Sequence, residues 1–445
     1  MYVAKLEVSG VRAFSGPRAV KLEFPRTRPD SCAGWIVLAG RNGSGKSALL
    51  QLIALALAGP QNGAVIESPE AWLTDTEIGS PEISSPHARV ELIRSPPYDP
   101  LDSHGAEWAL IAWGVEDGEV AVGVALDGHW SSSFDPNAKG PWSTRPEGWL
   151  YLGYGPFRRH SRPEVGLRDQ DVPRRSAGFR TLFDEDATLV EGVSWLIGQH
   201  VLRLERKPGA QELLDVVLAL LGDGLLPDGF RICRVDSEGL WVSRRDGEEL
   251  PLRRMSDGYR TIGALVVDII RRMHITYGRL EVEERDGVPT LPYPGVILID
   301  EVDAHLHVSW QKKIGEWLKA HFPEVQFIVS THSPYICQSA DPGGLIRLPG
   351  PDEQEPPRVV DEDLYRRVVY GSGDDAVLSD LFGLETPYSD EAERLRERLG
   401  ELEGKMIDEE ASEDEVTEYR SLNEQLRSSL GARVREVSAR LGIDP

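Results

Sequence analysis

The sequence predicts an α/β protein built on a mostly parallel sheet, with an antiparallel β region beside it, a helical insertion and a helical hairpin near the end. Three observations carry this. A short apolar run, Trp35-Ile36-Val37-Leu38-Ala39, passes through a glycine-rich turn into a helix-forming stretch at 48–58. Two more apolar runs, at about 295–299 and 325–330, are separated by a helical stretch, and alternation of strand and helix lays strands parallel. Between about 60 and 150 the chain is rich in Pro, Gly and Ser. Its short alternating runs there, Ala88-Arg89-Val90-Glu91-Leu92-Ile93 and Trp108-Ala109-Leu110-Ile111-Ala112-Trp113, read as antiparallel strands.

The remaining elements follow in order. Met1 to Val8 alternates as a strand does and lacks the apolar core of a signal peptide. Helices are expected at about 187–206 and 209–221, the second with Leu213, Leu214, Val217, Leu218 and Leu221 on one face. Asp246-Gly247 between two short β runs signals a hairpin, and a long helix follows Ser256. Near the end, Leu395, Leu399, Leu402 and Met406 recur at helical spacing, as do Val416, Tyr419, Leu422 and Leu426, with an acidic turn from Asp408 to Glu415 between them. This hairpin reads either as packing on its own domain or as a docking surface for a partner. The expected organisation is a core lobe from 1–60 and 251–350, an inserted β and helical lobe at 61–250, and a helical region at 351–445.

A chain of 445 residues with 40% hydrophobic and 27% charged residues is ordinary globular material. No run of 18 apolar residues occurs, so no membrane partner is expected. Cys32, Cys233 and Cys337 are scattered and read as reduced thiols in a cytoplasmic protein. A net charge of −24 argues against a surface that coats nucleic acid. Nucleic acid contact stays open at one place, where Arg158, Arg159, Arg162, Arg168, Arg174, Arg175 and Arg180 crowd together; a solvated loop is the other reading.

Residues 40 to 47, Gly40-Arg41-Asn42-Gly43-Ser44-Gly45-Lys46-Ser47, fill the phosphate-loop pattern G-x-x-x-x-G-K-[ST]. Glycines let the backbone turn its N–H groups around a phosphate at the positive end of a helix. Asn42, Gly43, Ser44, Gly45 and Lys46 are therefore expected to hold ATP, with the Ser47 hydroxyl on Mg²⁺. Val296-Ile297-Leu298-Ile299 ends in Asp300-Glu301. Four apolar residues before two carboxylates fit a buried strand whose end meets the nucleotide, with Asp300 in the metal shell and Glu301 as the base that takes a proton from water. His332 ends the next strand, 31 residues on, and is expected at the γ-phosphate. Met255-Ser256-Asp257-Gly258-Tyr259-Arg260 opens the long helix. Ser256 and Gly258 there make either a simple N-cap or an anion site. If it lies on the far lobe from Lys46, such an anion site would complete the nucleotide pocket of a second subunit.

The order phosphate loop, Ser-x-Gly signature, Asp-Glu strand, Asp303 and His332 resembles the ABC-type ATPase head of the SMC, RecF and overcoming-lysogenization-defect proteins. Val8-Ser9-Gly10-Val11-Arg12-Ala13-Phe14 is similar to the start of those heads, which implies that Arg12 lies near the nucleotide. The signature departs from the transporter form at Tyr259, and no Gln is assigned to the magnesium-linked loop, for which 151–158 is the candidate segment. Asp300-Glu301-Val302-Asp303-Ala304-His305-Leu306-His307 with Ser330-Thr331-His332-Ser333-Pro334 looks most like the stand-alone prokaryotic defence ATPases of the PtuA type.

That resemblance implies a homodimer or higher homo-oligomer with composite ATP sites, working with a separate effector nuclease, often of HNH type. The alternative is a RecF- or SMC-like repair ATPase acting on DNA without an effector. A transporter motor fits poorly, since Lys46 and Ser256 are 210 residues apart, and a fused nuclease fits poorly because no histidine follows His332.

Overall fold

Where the sequence alternates or runs apolar, strands form. In the computed structural model β1 (Tyr2–Ser9) and β2 (Val20–Glu23) flank a turn, and β3 (Gly34–Ala39) runs into α1 (Lys46–Ala58). Next come β4 (His87–Ile93), β5 (Trp108–Glu116), β6 (Glu119–Leu126), β7 (His129–Ser131) and β8 (Tyr151–Tyr154). The helical insertion comprises α2 (Arg180–Phe183), α3 (Val190–Leu204) and α4 (Ala210–Leu221), followed by β9 (Arg231–Asp236), β10 (Gly239–Ser243) and β11 (Glu249–Pro251). The chain returns to the core through α5 (Asp257–Tyr277), the hairpin β12 (Glu283–Arg285) and β13 (Val288–Thr290), and β14 (Gly295–Ile299). Then follow α6 (Val308–Gln311), α7 (Ile314–His321), β15 (Val325–Thr331), α8 (Pro334–Cys337), β16 (Leu345–Arg347), β17 (Arg358–Val359), α9 (Glu362–Val369), α10 (Gly373–Val377) and α11 (Asp390–Ile407). The structure describes residues 1–59, 68–73, 86–99, 108–116, 119–126, 129–131, 148–156, 178–184, 189–384, 386 and 388–426. Of the crowded arginines only Arg180 is among them.

Two sheets matter for the site. One has the order β17-β16-β3-β15-β14-β8, with every pairing parallel except β16 with β17. The other, β2-β1-β4-β5-β6-β7, is antiparallel throughout. The parallel strands are continuous apolar runs because both of their faces are covered. Side chains alternate between faces, so each strand feeds two cores. Ile36, Leu38, Val296, Leu298 and Ile328 pack with α1 and the antiparallel sheet. Trp35, Val37, Ile297, Ile299, Phe327 and Val329 pack with α4, α5 and α7. Thus α1 and α5 lie on opposite faces of one sheet.

Gln326 interrupts the apolar run of β15 and is fully buried. Its side-chain amide accepts from the Val3 N–H at 2.7 Å and donates to the Val3 carbonyl at 2.8 Å. A buried amide with both ends satisfied costs little and fixes orientation. Here it takes the place of a strand partner, joining the two sheets where the β1–β4 register shifts between Val3 and Lys5.

The chain divides into two compact units, Met1–Phe382 and Gly383–Pro445. In the second, Ser389 caps α11 by accepting from the Ala392 N–H at 3.3 Å, and residues 413–426 are helical. Arg398 holds Glu418 through two bonds of 3.0 and 2.9 Å and Lys405 holds Glu415 at 2.5 Å, so the two helices run antiparallel as a hairpin.

Candidate active site

Parallel strands β3, β15, β14 and β8 end at one edge of the sheet, and ligands of α/β sheets bind outside such carboxyl ends. Each strand delivers part of the site.

Beyond β3 the phosphate loop turns on Gly43 and Gly45, at φ of 77° and 96°, a left-handed conformation that favours glycine. Gly45 is doubly constrained, since a Cβ there would stand 2.8 Å from the Phe14 ring. The Lys46 ammonium donates to the carbonyls of Gly40 at 2.8 Å and Arg41 at 3.1 Å, lying back along the loop it serves. Asn42, Gly43 and Ser47 are exposed, while Ser44 is buried and its N–H donates to the Arg41 carbonyl at 3.2 Å.

Beyond β14, Asp300 is buried at 3% exposure and its N–H donates to the Tyr154 carbonyl of β8 at 2.7 Å. The Ser330 hydroxyl, at the end of β15, donates to the Asp300 carboxylate and accepts from the Glu301 N–H at 2.8 Å. One hydroxyl therefore orients two consecutive acidic residues. Glu301 has φ of 44°, a strained conformation for a side-chain-bearing residue, of a kind that clusters at functional sites. Asp303 accepts from the Thr331 hydroxyl at 2.5 Å. The sequence motif includes Ser330 and Thr331 but gives neither a role, since a hydroxyl in a β-strand run does not announce its partner.

Electrostatics ties these pieces together. Burial pushes the Lys46 ammonium down to about 8, against the pull of Asp300, Glu301 and Asp303. His332 titrates below an ordinary histidine, first through desolvation and then through repulsion by Lys46, with Glu301, Asp303 and Asp300 opposing. Among the described residues no group of three His, Cys, Asp or Glu side chains is arranged to hold a metal alone. The oxygen donors of Ser47 and Asp300 instead fit Mg²⁺, a hard cation that takes one or two protein oxygens and completes its shell with phosphate and water.

Arg12 sits at φ of 49° with its guanidinium 3.7 Å over the Trp72 ring, and its N–H donates to the Trp72 carbonyl at 2.6 Å. The next residue, Ala13, places its Cβ 3.5 Å from where a Gly45 Cβ would be. The Arg12 turn thus abuts the phosphate loop.

Ser256 and Gly258 are placed differently. They open α5, across the sheet from α1. Ser256 is exposed and makes no side-chain cap bond. A Cβ on Gly258 would stand 2.4 Å from the His305 carbonyl, which explains the glycine. The Tyr259 hydroxyl donates to Asp228 at 2.9 Å and its ring meets Phe230 edge-on, so this departure from the transporter signature turns into its own chain. Of the segment 151–158, Tyr151 to Tyr154 form β8, whereas Phe157 and Arg158 lie outside the described residues. Among the described residues no helix is long and apolar enough to cross a membrane.

The family described as AAA domain, putative AbiEii toxin, Type IV TA system, matches residues 129–338, and a second AAA domain family matches 5–94. The Septu protein PtuA of Bacillus mycoides (strain KBAB4) is 28% identical over 354 residues, 80% of this chain and 41% of that protein. The Retron Vc95 probable ATPase of Vibrio cholerae serotype O1 biovar El Tor is 44% identical over 92 residues, 21% of this chain and 16% of that protein. The chain thus spans less than half the length of either relative. Among solved structures, an SmcHead bound to the C-winged helix domain of ScpA aligns at 17% identity over 78% of this chain and 93% of that one, with a TM-score of 0.45. In motif order, strand order and sequence, this chain is related to the Septu protein PtuA and is similar to ABC-type ATPase heads.

Proposed function

We propose that the chain hydrolyses ATP with Mg²⁺ in a homodimer, each pocket built from the phosphate loop of one protomer and the Ser256–Gly258 signature of the other. The observation that carries this reading is the placement of Lys46 and Ser256 at the ends of elements packed on opposite faces of one sheet. A single protomer then presents the phosphate-binding half with its carboxylates and, elsewhere, an uncapped helix start that suits an anion.

In the proposed reaction, Asn42 to Ser47 hold the phosphates and Lys46 offsets their charge. Ser47 and Asp300 would hold Mg²⁺, which would supply positive charge to offset that of the phosphates. Glu301 takes a proton from the attacking water as its oxygen bonds the γ-phosphorus and the bond to ADP breaks. His332 contacts the γ-phosphate. Ser330 keeps Asp300 and Glu301 in register.

We read the closing and opening of this dimer as the control of a separate effector nuclease, HNH-type by resemblance, in anti-phage defence. The similarity to PtuA and to a retron ATPase supports that reading. Glu301→Gln tests the chemistry. Its turnover is expected to fall at least about hundredfold while an ATP-bound dimer accumulates in size-exclusion chromatography with light scattering. Turnover at the wild-type rate refutes the assignment. Hydrolysis stimulated by DNA with no effector partner would move the chain to the stand-alone repair ATPases.

A further inference from the structure

Arg18 closes the one-turn helix between β1 and β2 and is buried at 7% exposure. Among the described residues its partners are main-chain carbonyls from three separate segments. Nε donates to Ala13 at 3.0 Å. One terminal nitrogen donates to Gly350 and, at 2.7 Å, to Glu353. The other donates to Pro349 at 3.1 Å and to Ser44 of the phosphate loop at 3.5 Å. The carboxylates nearby are engaged elsewhere, Asp352 with Arg41 and Glu353 with Arg347.

The segments gathered by Arg18 form the walls of the phosphate loop. Ala13 and Phe14 press on Gly45. On the other side, the Leu348 N–H donates to the Ala39 carbonyl at 2.8 Å, Arg41 pairs with Asp352, and Pro351 lies 3.7 Å from where a Gly43 Cβ would be. Burying a guanidinium is expensive unless all its donors are met, and a fork of five donors meets planar carbonyls in a way that one ammonium cannot. There is also a directional consequence. In a planar trans peptide the carbonyl and the next N–H point opposite ways. Drawing the Ser44 carbonyl toward Arg18 therefore turns the Gly45 N–H away from it, to the far side of the loop.

We infer that Arg18 is a positioning residue for the ATP site, setting the phosphate loop in its binding geometry from behind without touching nucleotide. The inference deepens the ATP-site reading and rests on it. The test uses the full chain with Arg18→Lys and Arg18→Ala, titrated with fluorescent mant-ATP and mant-ADP, with far-UV circular dichroism and melting of the nucleotide-free protein alongside. Because the loop holds the phosphates that both nucleotides share, ATP and ADP affinities should fall together by about tenfold or more in both variants. KM should rise while kcat at saturation stays within about threefold. Millimolar guanidinium, but not methylammonium, should restore binding to Arg18→Ala. Arg18→Lys keeps the buried cation and stem, so it answers the question if the alanine variant does not fold. Affinities of Arg18→Lys within about twofold of wild type overturn the inference alone. A loss of binding that merely follows a loss of melting temperature, or that guanidinium leaves unrepaired, also overturns it. Wild-type protein that binds neither nucleotide overturns the ATP-site reading together with it.

Discussion

The phosphate-loop end of α1 and the signature end of α5 are two helix starts in one protein, and they are treated in opposite ways. Around α1 several neighbours are committed. Lys46 bonds its own loop, Ser330 locks Asp300 and Glu301, and the walls on either side are pinned to Arg18. Around α5 the N-cap Ser256 is solvent-facing and its hydroxyl caps nothing, while Gly258 lies close against His305, Tyr259 bonds Asp228 and Arg260 pairs with Asp257, all within their own chain. A helix start with its orphan N–H groups exposed is a latent anion site. In the proposed reading one end grips a phosphate, and the other leaves its exposed start for a phosphate of the second protomer. The contrast teaches that positioning alone does not distinguish a site from half of one.

The sharpest way to break this contrast is at Lys46. Lys46→Ala should weaken ATP binding by about hundredfold, since it removes the buried ammonium of the phosphate loop, and the same titration on the Ser256→Glu variant should show binding within about twofold of wild type. Equal losses in the two variants would mean that both helix starts serve one pocket of one chain.

Next in size is a mixing experiment. Ser256→Glu alone should lose turnover at least about thirtyfold, because its carboxylate repels the partner's triphosphate. Mixed one to one with Lys46→Ala, random pairing leaves half the dimers mixed, each with one intact composite pocket. ATPase activity should then recover to about a quarter of wild type. No recovery on mixing removes the composite site.

The smallest of the three effects concerns pH. Burial holds the Lys46 ammonium at about 8 in the free protein. It is charged below that value and neutral above it, so the protein must take up a proton to bind phosphate at higher pH. ATP affinity should be flat between about pH 6 and 7 and fall about tenfold by pH 9. Calorimetry in buffers of different ionisation enthalpy checks the sign through proton uptake on binding. An affinity that rises with pH contradicts it.

Much of this was legible in the sequence because it is written in side-chain pattern. The phosphate loop, β3, α1, β14, β15, the Asp246-Gly247 hairpin and the long helix after Ser256 all follow from apolar periodicity broken by glycine or acid. The role of β8 was not, since Tyr151-Leu152-Gly153-Tyr154 is too short to show a period and becomes a strand only beside β14. The roles of Ser330 and Thr331 were hidden for a related reason: a hydroxyl at a strand end acts through what the fold brings opposite it. Arg18 was least visible. Its partners are backbone carbonyls, which every residue carries, so no spacing or residue type on the other side announces the contact. Gln326 was detectable in principle, as an amide inside Val325-Gln326-Phe327-Ile328-Val329 demands a buried partner.

That same glutamine bears on how the molecule is made. Val3 leaves the ribosome 323 positions ahead of Gln326, and Arg18 precedes Gly350 by 332. A nascent chain can close neither contact until more than 300 further residues have emerged, at a rate of about 5–20 residues per second. The nucleotide loop is translated well before Gly350 and lacks the Arg18 contact to it until that residue emerges, so full ATP affinity would report that translation has passed this point.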